Sequence, residues 1–378
     1  MATRCQQTPQ PNDHRDATRT GWNTRAAVRF GSALVGLVLG LGSTGCTGGS
    51  APTAGATAAA TSSPATGPAA AAHWTPYRSV RAVLDLTQPR QDGRLTVAAA
   101  GRLSLLGGTG QPAPFAQAGG GYSTALGPEP YIALATGTPT TAGACAFARD
   151  TVYALEPGGQ RGVIAVTAQG QASRVVNLPG VAPTGIAFDT TGRFGYRLLV
   201  TAAVNGGTMV YAIDCASRVT TIAEHAPAGE GGIVVAPQSF GSYGGDLILP
   251  DEKTGRIWAI APDGRASLVA RSPLASGGDI GVESAGFVPA GLTPAWAAYL
   301  ADRASPGNPH PGSDSILRLP AADLIAAGVA PGDLVVASEG GAQTVAVRCA
   351  ATCALRHVAD GPATSHAEGH IVFAPPLP

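Results

Sequence analysis

Three glutamates recur in one local setting. Glu230, Glu283 and Glu368 each precede one to three small residues and a short apolar run, as in Glu230-Gly231-Gly232-Ile233-Val234-Val235 and Glu368-Gly369-His370-Ile371-Val372-Phe373. Glu129 opens a fourth such segment, and Thr184 breaks the series. A second acidic set, Asp251, Asp302 and Glu339, follows short apolar runs such as Leu247-Ile248-Leu249-Pro250. Acids at equivalent places in a repeated unit would form rings around a common axis. Such a ring could hold a hard cation such as Ca²⁺, which takes about six to eight oxygens. Glu230, Asp251, Glu283 and Glu368 are the candidate ligands. The competing expectation is that these acids cap turns or pair with arginines near the surface, where acidic residues mostly lie. His366, Glu368 and His370 alternate, so an extended strand would face all three one way. That spacing could supply three ligands to zinc.

Other chemistry finds less support. The chain has no Gly-x-Ser-x-Gly elbow, no His-Glu-x-x-His and no phosphate loop, so hydrolysis by a serine nucleophile lacks a local signature. Cys5 and Cys46 lie near the N-terminus and leave Cys145, Cys215, Cys349 and Cys353. An even remainder in an exported protein points to two disulfides. Cys349 and Cys353 flank one turn and form the first pair, which leaves Cys145 with Cys215. A Cys-x-x-x-Cys redox or metal motif is the weaker alternative, since no partner ligands sit nearby.

Export is read from the N-terminus. Five arginines and two aspartates precede the 13-residue apolar run Phe30–Gly42. A membrane-spanning helix takes about 20 residues, so this run reads as a signal-peptide core. Ser43-Thr44-Gly45-Cys46 then resembles the lipobox of bacterial lipoproteins, which implies acylation of Cys46 and a palmitate-bearing anchor. The likeness is imperfect, with Ser43 where the pattern has leucine. Ordinary cleavage, giving a secreted product, is the alternative, and an uncleaved anchor ranks last. Residues 47–73 are almost entirely Ala, Thr, Gly, Ser and Pro, with nothing to bury against the entropy of ordering. The expected organisation is a signal peptide over 1–45, a lipidated cysteine with flexible linker over 46–73, and one folded domain over 74–378. From Phe30 onward 19 basic residues face 22 acidic ones. No basic patch appears, and this charge balance argues against nucleic acid as a partner.

The elements that must position the candidate ligands repeat along the domain. Ile257–Val269, Val210–Ile222 and Val163–Val175 each read as strand, tight turn and strand, with Val166, Ile213 and Ile260 spaced 47 residues apart. Further copies stand at Thr344–Val358 and Leu95–Leu106, with a half copy at Ser315–Leu319. Three to four short strands per repeat predict an all-β fold, a β-propeller of six blades with five as the alternative. Ala321–Ala327 is the best helix candidate. The last segment, Glu368–Phe373, has no hairpin after it, and the hairpin at Leu95–Leu106 has no such segment before it. Joining them would close the ring with N- and C-terminal strands in one blade, removing exposed edges.

Segments such as Gly244-Gly245-Asp246-Leu247-Ile248-Leu249-Pro250-Asp251 and Arg256-Ile257-Trp258-Ala259-Ile260 resemble repeats of the gluconolactonase, strictosidine-synthase and NHL-repeat propellers. The resemblance to gluconolactonases implies a metal ion held partly by an acid from the first strand of a blade. Fold is better specified than activity, because propellers host many functions. Three readings follow. The first is an envelope lipoprotein, membrane-anchored outside the cytoplasm, binding a small molecule or an envelope protein in its channel. The second is a metal-dependent hydrolase of a lactone-like sugar substrate, and the third a scaffold.

Overall fold

Runs of Val, Ile, Leu and Ala cut by Gly- and Asp-bearing turns cannot bury themselves as single hairpins, so they stack as sheets. A computed structural model describes residues 72–116, 129–141 and 145–378. The signal segment, Cys46 and nearly all of the linker lie outside the described residues. Two short strands come first, β1 (Ala72–His73) and β2 (Thr75–Ser79). Four antiparallel four-stranded sheets then follow in chain order. The first is β3 (Val83–Leu86), β4 (Leu95–Ala99), β5 (Arg102–Leu106) and β6 (Ala113–Pro114). The second is β7 (Ile132–Leu134), β8 (Val152–Glu156), β9 (Gly162–Val166) and β10 (Ala172–Asn177). The third is β11 (Ala182–Phe188), β12 (Leu198–Val204), β13 (Gly207–Ile213) and β14 (Val219–Ala226). The fourth is β15 (Val234–Val235), β16 (Leu247–Asp251), β17 (Arg256–Ile260) and β18 (Ala266–Arg271).

The remaining elements are β19 (Val282–Phe287), β20 (Ala297–Asp302), β21 (Ser315–Pro320), α1 (Ala321–Ala326), β22 (Leu334–Ser338), β23 (Thr344–Cys349), β24 (Cys353–Asp360) and β25 (Ala367–Ala374). Their strands join β1 and β2 in a nine-stranded sheet ordered β1-β24-β23-β22-β19-β25-β20-β21-β2. It consists of two groups of strands joined at β19 and β25 by one parallel bridge, Ala285 to His370. The chain is interleaved here, running from β19 to β20 and β21, back to β22, β23 and β24, then to β25. The fold is all-β, with the sheets arranged as a propeller and the first strands facing the axis.

Strands from both ends of the chain meet in one sheet, but with other partners than the sequence reading joined. The Leu95–Leu106 hairpin pairs with its own inner strand β3, which Val83-Leu84-Asp85-Leu86 hid by being four residues long with an acid inside. The segment from Glu368 instead pairs with β20, and N-terminal β2 covers β21. The half copy at Ser315–Leu319 is the third strand of that group, counted from β25.

Packing explains the composition of the strands. Leu247, Ile248 and Leu249 are all fully buried, because each inner or middle strand has a neighbouring sheet on both faces. Alternation therefore fades there, while outer strands such as β10 and β14 are largely exposed. Trp74 is buried and its indole N–H donates to Thr344 Oγ1 at 2.8 Å, fixing the chain entry to the sheet of β22–β24. Disulfides join Cys145 to Cys215 and Cys349 to Cys353. Among the described residues no helix is long and apolar enough to cross a membrane.

Candidate functional site

Each inner strand begins at one end of the axial channel, and the recurrent acids stand at those beginnings. Glu129 and Tyr131 precede β7, Glu230 precedes β15, Glu283 is the second residue of β19 and Glu368 the second of β25. Glycine makes the convergence possible. Gly231 and Gly369 both have positive φ, 78° and 69°. A Cβ at Gly231 would strike the Glu283 side chain, and one at Gly369 the Asp85 carboxylate. The Glu-Gly pairs of the sequence thus combine a ligand-bearing residue with the backbone freedom that close approach to the axis requires.

A second ring of side chains comes from the residue just past the second strand of a blade. Glu252 follows β16, Arg303 follows β20 and Glu339 follows β22. The sequence reading aligned Asp251 and Asp302 with Glu339 and was one residue out. Asp251 accepts from the Thr254 hydroxyl and backbone N–H, and Asp302 accepts from Ser313 Oγ and the His366 backbone N–H. Both cap local structure. Their neighbours Glu252 and Arg303 project into the channel mouth, as side-chain alternation along a strand dictates.

The mouth therefore gathers Glu129, Glu230, Glu252, Glu283, Glu339 and Glu368 with His366, Arg303 and Tyr131. Three groups of donor atoms lie within 4.8 Å of one another: Glu339, His366 and Glu368; Glu129, Glu283 and Glu368; Glu252, Glu283 and Glu339. His366 Nε2 is 2.9 Å from Glu339 Oε1 and 3.4 Å from Glu368 Oε1. Arg303 Nη1 is 3.1 Å from Glu368 Oε1 and 3.3 Å from Glu129 Oε1. Tyr131 Oη lies 2.6 Å from both Glu283 Oε1 and Glu368 Oε2. A phenol has one proton, so one of these two contacts requires a proton on a carboxyl group.

Burial and crowding of like charges raise Glu129, Glu230, Glu252, Glu283 and Glu339. Burial and the nearby Glu368 and Glu230 push Glu129 up to about 8. Burial and the neighbouring glutamates push Glu230 and Glu252 to about 7. Glu283 is raised well above the usual range by burial and Glu368. Burial disfavours the charged form of His366, but Glu339 and Glu368 outweigh it and raise the imidazole to about 10. Glu339 Oε2 and His366 Nδ1 are buried without any hydrogen-bond partner, and both residues are over nine-tenths buried. Unpaired buried polar atoms are costly, and a cation would satisfy the carboxylate oxygen. This donor set fits a divalent metal ion.

His370, the third member of the alternating triplet, is separated from the other two. The positive-φ Gly369 ahead of it bends β25, and His370 reaches deeper into the channel. There Nδ1 lies 3.0 Å from both oxygens of Asp85, and Nε2 3.1 Å from the carbonyls of Ile186 and Ile233. Both nitrogens face acceptors, as only an imidazolium can satisfy. Burial opposes that charge, yet Asp85 and the two carbonyls leave the pKa raised. Asp85 also accepts the backbone N–H of Ile132 and of His370, each at 2.8 Å. This pair links inner strands of several sheets, and His370 also lines a cavity of about 280 Å³ at the far end of the channel, with Leu86, Ile132, Phe188, Val235, Phe287 and Val372. One mouth is acidic and the other apolar.

Of the sequence candidates, the structure brings Glu230, Glu283 and Glu368 to one mouth and leaves Asp251 aside. Tyr131, Glu252, Arg303 and Asp85 were missed. The signal for Glu252 and Arg303 was their position directly after an acid already singled out.

No known protein family matches this chain, and no curated protein does. Solved structures with a similar fold include a nidogen/laminin complex, 12% identical with a TM-score of 0.47, covering 79% of this chain and 87% of that one. A virginiamycin B lyase from Staphylococcus aureus is 12% identical with a TM-score of 0.40, covering 78% of this chain and 97% of its own. A gluconolactonase from Xanthomonas campestris is 14% identical with a TM-score of 0.39, covering 61% and 70%.

Proposed function

We propose that this chain is an exported, lipid-anchored propeller of six blades that binds a hard divalent cation, Ca²⁺ or one like it, at its acidic mouth, and with it a small ligand. The observation that carries this reading is the convergence of five glutamates and His366 in three overlapping donor groups, in which one carboxylate oxygen, Glu339 Oε2, is buried without a hydrogen-bond partner. Oxygen-rich sets of this kind suit Ca²⁺, Mg²⁺ or Mn²⁺. Six blades are supported by the four separate sheets together with the division of the nine-stranded sheet at the Ala285–His370 bridge. In thermal unfolding, Ca²⁺ at about 100 times its dissociation constant should stabilise the protein by about 2.7 kcal/mol. A melting temperature unmoved by Ca²⁺, Mn²⁺ or Zn²⁺ after treatment with EDTA rejects the reading.

A second reading, a metal-dependent hydrolase of a lactone-like substrate, is favoured by Glu129, Glu230 and Glu252. Their carboxyls sit at about 7 to 8, where they can exchange protons at neutral pH. It predicts lactone opening that needs the metal and is lost in Glu283→Gln. Anchoring rests on the run from Phe30 to Cys46. Cys46→Ser should move the protein from the detergent phase to the aqueous phase or block its maturation, and equal partitioning would exclude lipidation.

A further inference from the structure

The three donor groups are arranged as corners. Each pair of groups shares one glutamate: Glu368 joins the first to the second, Glu283 the second to the third, and Glu339 the third to the first. One corner is already filled. Between Glu129, Glu283 and Glu368 the Arg303 guanidinium contacts two of the carboxylates, and the Tyr131 hydroxyl lies between Glu283 and Glu368. The two open corners both contain Glu339. Its Oε1 faces His366 Nε2 at 2.9 Å, while Oε2 is buried and unpartnered.

Charge points the same way. Six glutamates converge with one guanidinium and, beside Glu230, the ammonium of Lys253, so acidic groups outnumber the protein cations that could pair with them.

We infer that the acidic mouth holds two divalent cations bridged by the Glu339 carboxylate, one at Glu339, His366 and Glu368 and the other at Glu252, Glu283 and Glu339. Arg303 is the fixed third cation that closes the remaining corner. In the first site His366 Nε2 stands 2.9 Å from Glu339 Oε1 and 3.4 Å from Glu368 Oε1, and the second is reached by the unpartnered Glu339 Oε2. The inference rests on the cation-binding reading above and goes beyond it in number, position and bridging.

Stoichiometry separates the two claims. The purified full-length chain, stripped with EDTA, is dialysed against Mn²⁺ alone, and bound metal is counted and examined by electron paramagnetic resonance. Two ions per chain are expected, with the broadened spectrum of an exchange-coupled pair. One ion per chain, or two with independent six-line spectra, overturns the bridged pair and leaves the single-cation reading standing. No bound Mn²⁺ overturns both. Glu339→Gln should reduce the count to one or fewer and abolish the coupled spectrum, while circular dichroism verifies that the variant is folded. Asp251→Asn should keep both ions, since Asp251 is turned to Thr254. A coupled pair surviving Glu339→Gln, or one lost in folded Asp251→Asn, would overturn the ligand assignment.

Discussion

At the scale of single residues, the acidic mouth depends on who carries each proton. Tyr131 joins Glu283 and Glu368 only while one of the two carboxyl groups is protonated, and Glu283 is the one pushed well above its usual range. Tyr131→Phe removes the shared hydroxyl without removing the ring. It leaves two buried acidic groups short of a partner, so in EDTA it should destabilise the protein by about 1–3 kcal/mol in urea unfolding. An unchanged midpoint would mean that water replaces the phenol. The sequence made Glu283 and Glu368 visible because each opens a repeat. Tyr131 and Arg303 were not visible, since nothing local distinguishes a tyrosine or arginine aimed at the axis from one packed elsewhere.

At the scale of elements, covalent and strand closure do different work. Cys349 and Cys353 are directly opposite in the β23–β24 register and close a turn that lacks Gly, Pro, Asn or Asp. Cys145 and Cys215 are 70 residues apart, a loop whose closure removes about 4 kcal/mol of unfolded-state entropy in the chain-entropy account. Replacing Cys145 and Cys215 by serine should therefore cost more stability than replacing Cys349 and Cys353, whose short loop confers less than ~3 kcal/mol. Denaturant titration of the two double mutants gives the order, and the reverse order would discredit the entropic account here. Strand β25 is a second kind of clasp, pairing along β20 and touching β19. Removing residues 367–378 would uncover both inner edges and delete Glu368 and His370. Insolubility or a broad, non-cooperative melt is expected, and a truncated chain melting like the intact one would show that β25 is dispensable.

For the molecule as a whole, pH and metal should act on one equilibrium. Glu129, Glu230 and Glu252 are raised from 4.5 to between about 7 and 8. Over that window the folded chain holds protons that the unfolded chain releases, so stability falls as pH rises. His366 acts with the same sign. Its stabilisation is complete below 6.5 and is lost as pH rises through about 10. In EDTA the melting temperature should therefore drop between about pH 5 and pH 8, and Ca²⁺ should reduce the drop by taking the place of the departing protons. A metal-free melting temperature that rises over this interval would contradict the shifts.

The sequence by itself determined most of the strands, the all-β class, the repeat, the helix at Ala321–Ala326 and the Glu-Gly openings at Glu230 and Glu368. These are local properties: strand patterning, turn chemistry and glycine at positive φ are written within about ten residues. Tertiary structure decided which strand completes which sheet, because pairing β25 with β20 skips the intervening strands β21 to β24 and pairing β2 with β21 spans most of the chain, and neither leaves a local trace. It decided that Glu252 rather than Asp251 reaches the channel, since one residue of strand phase exchanges the two faces. It also decided that His370 leaves the company of His366 and Glu368 to meet Asp85, 285 residues away, because only closure of the ring brings β3 and β25 to the same point on the axis.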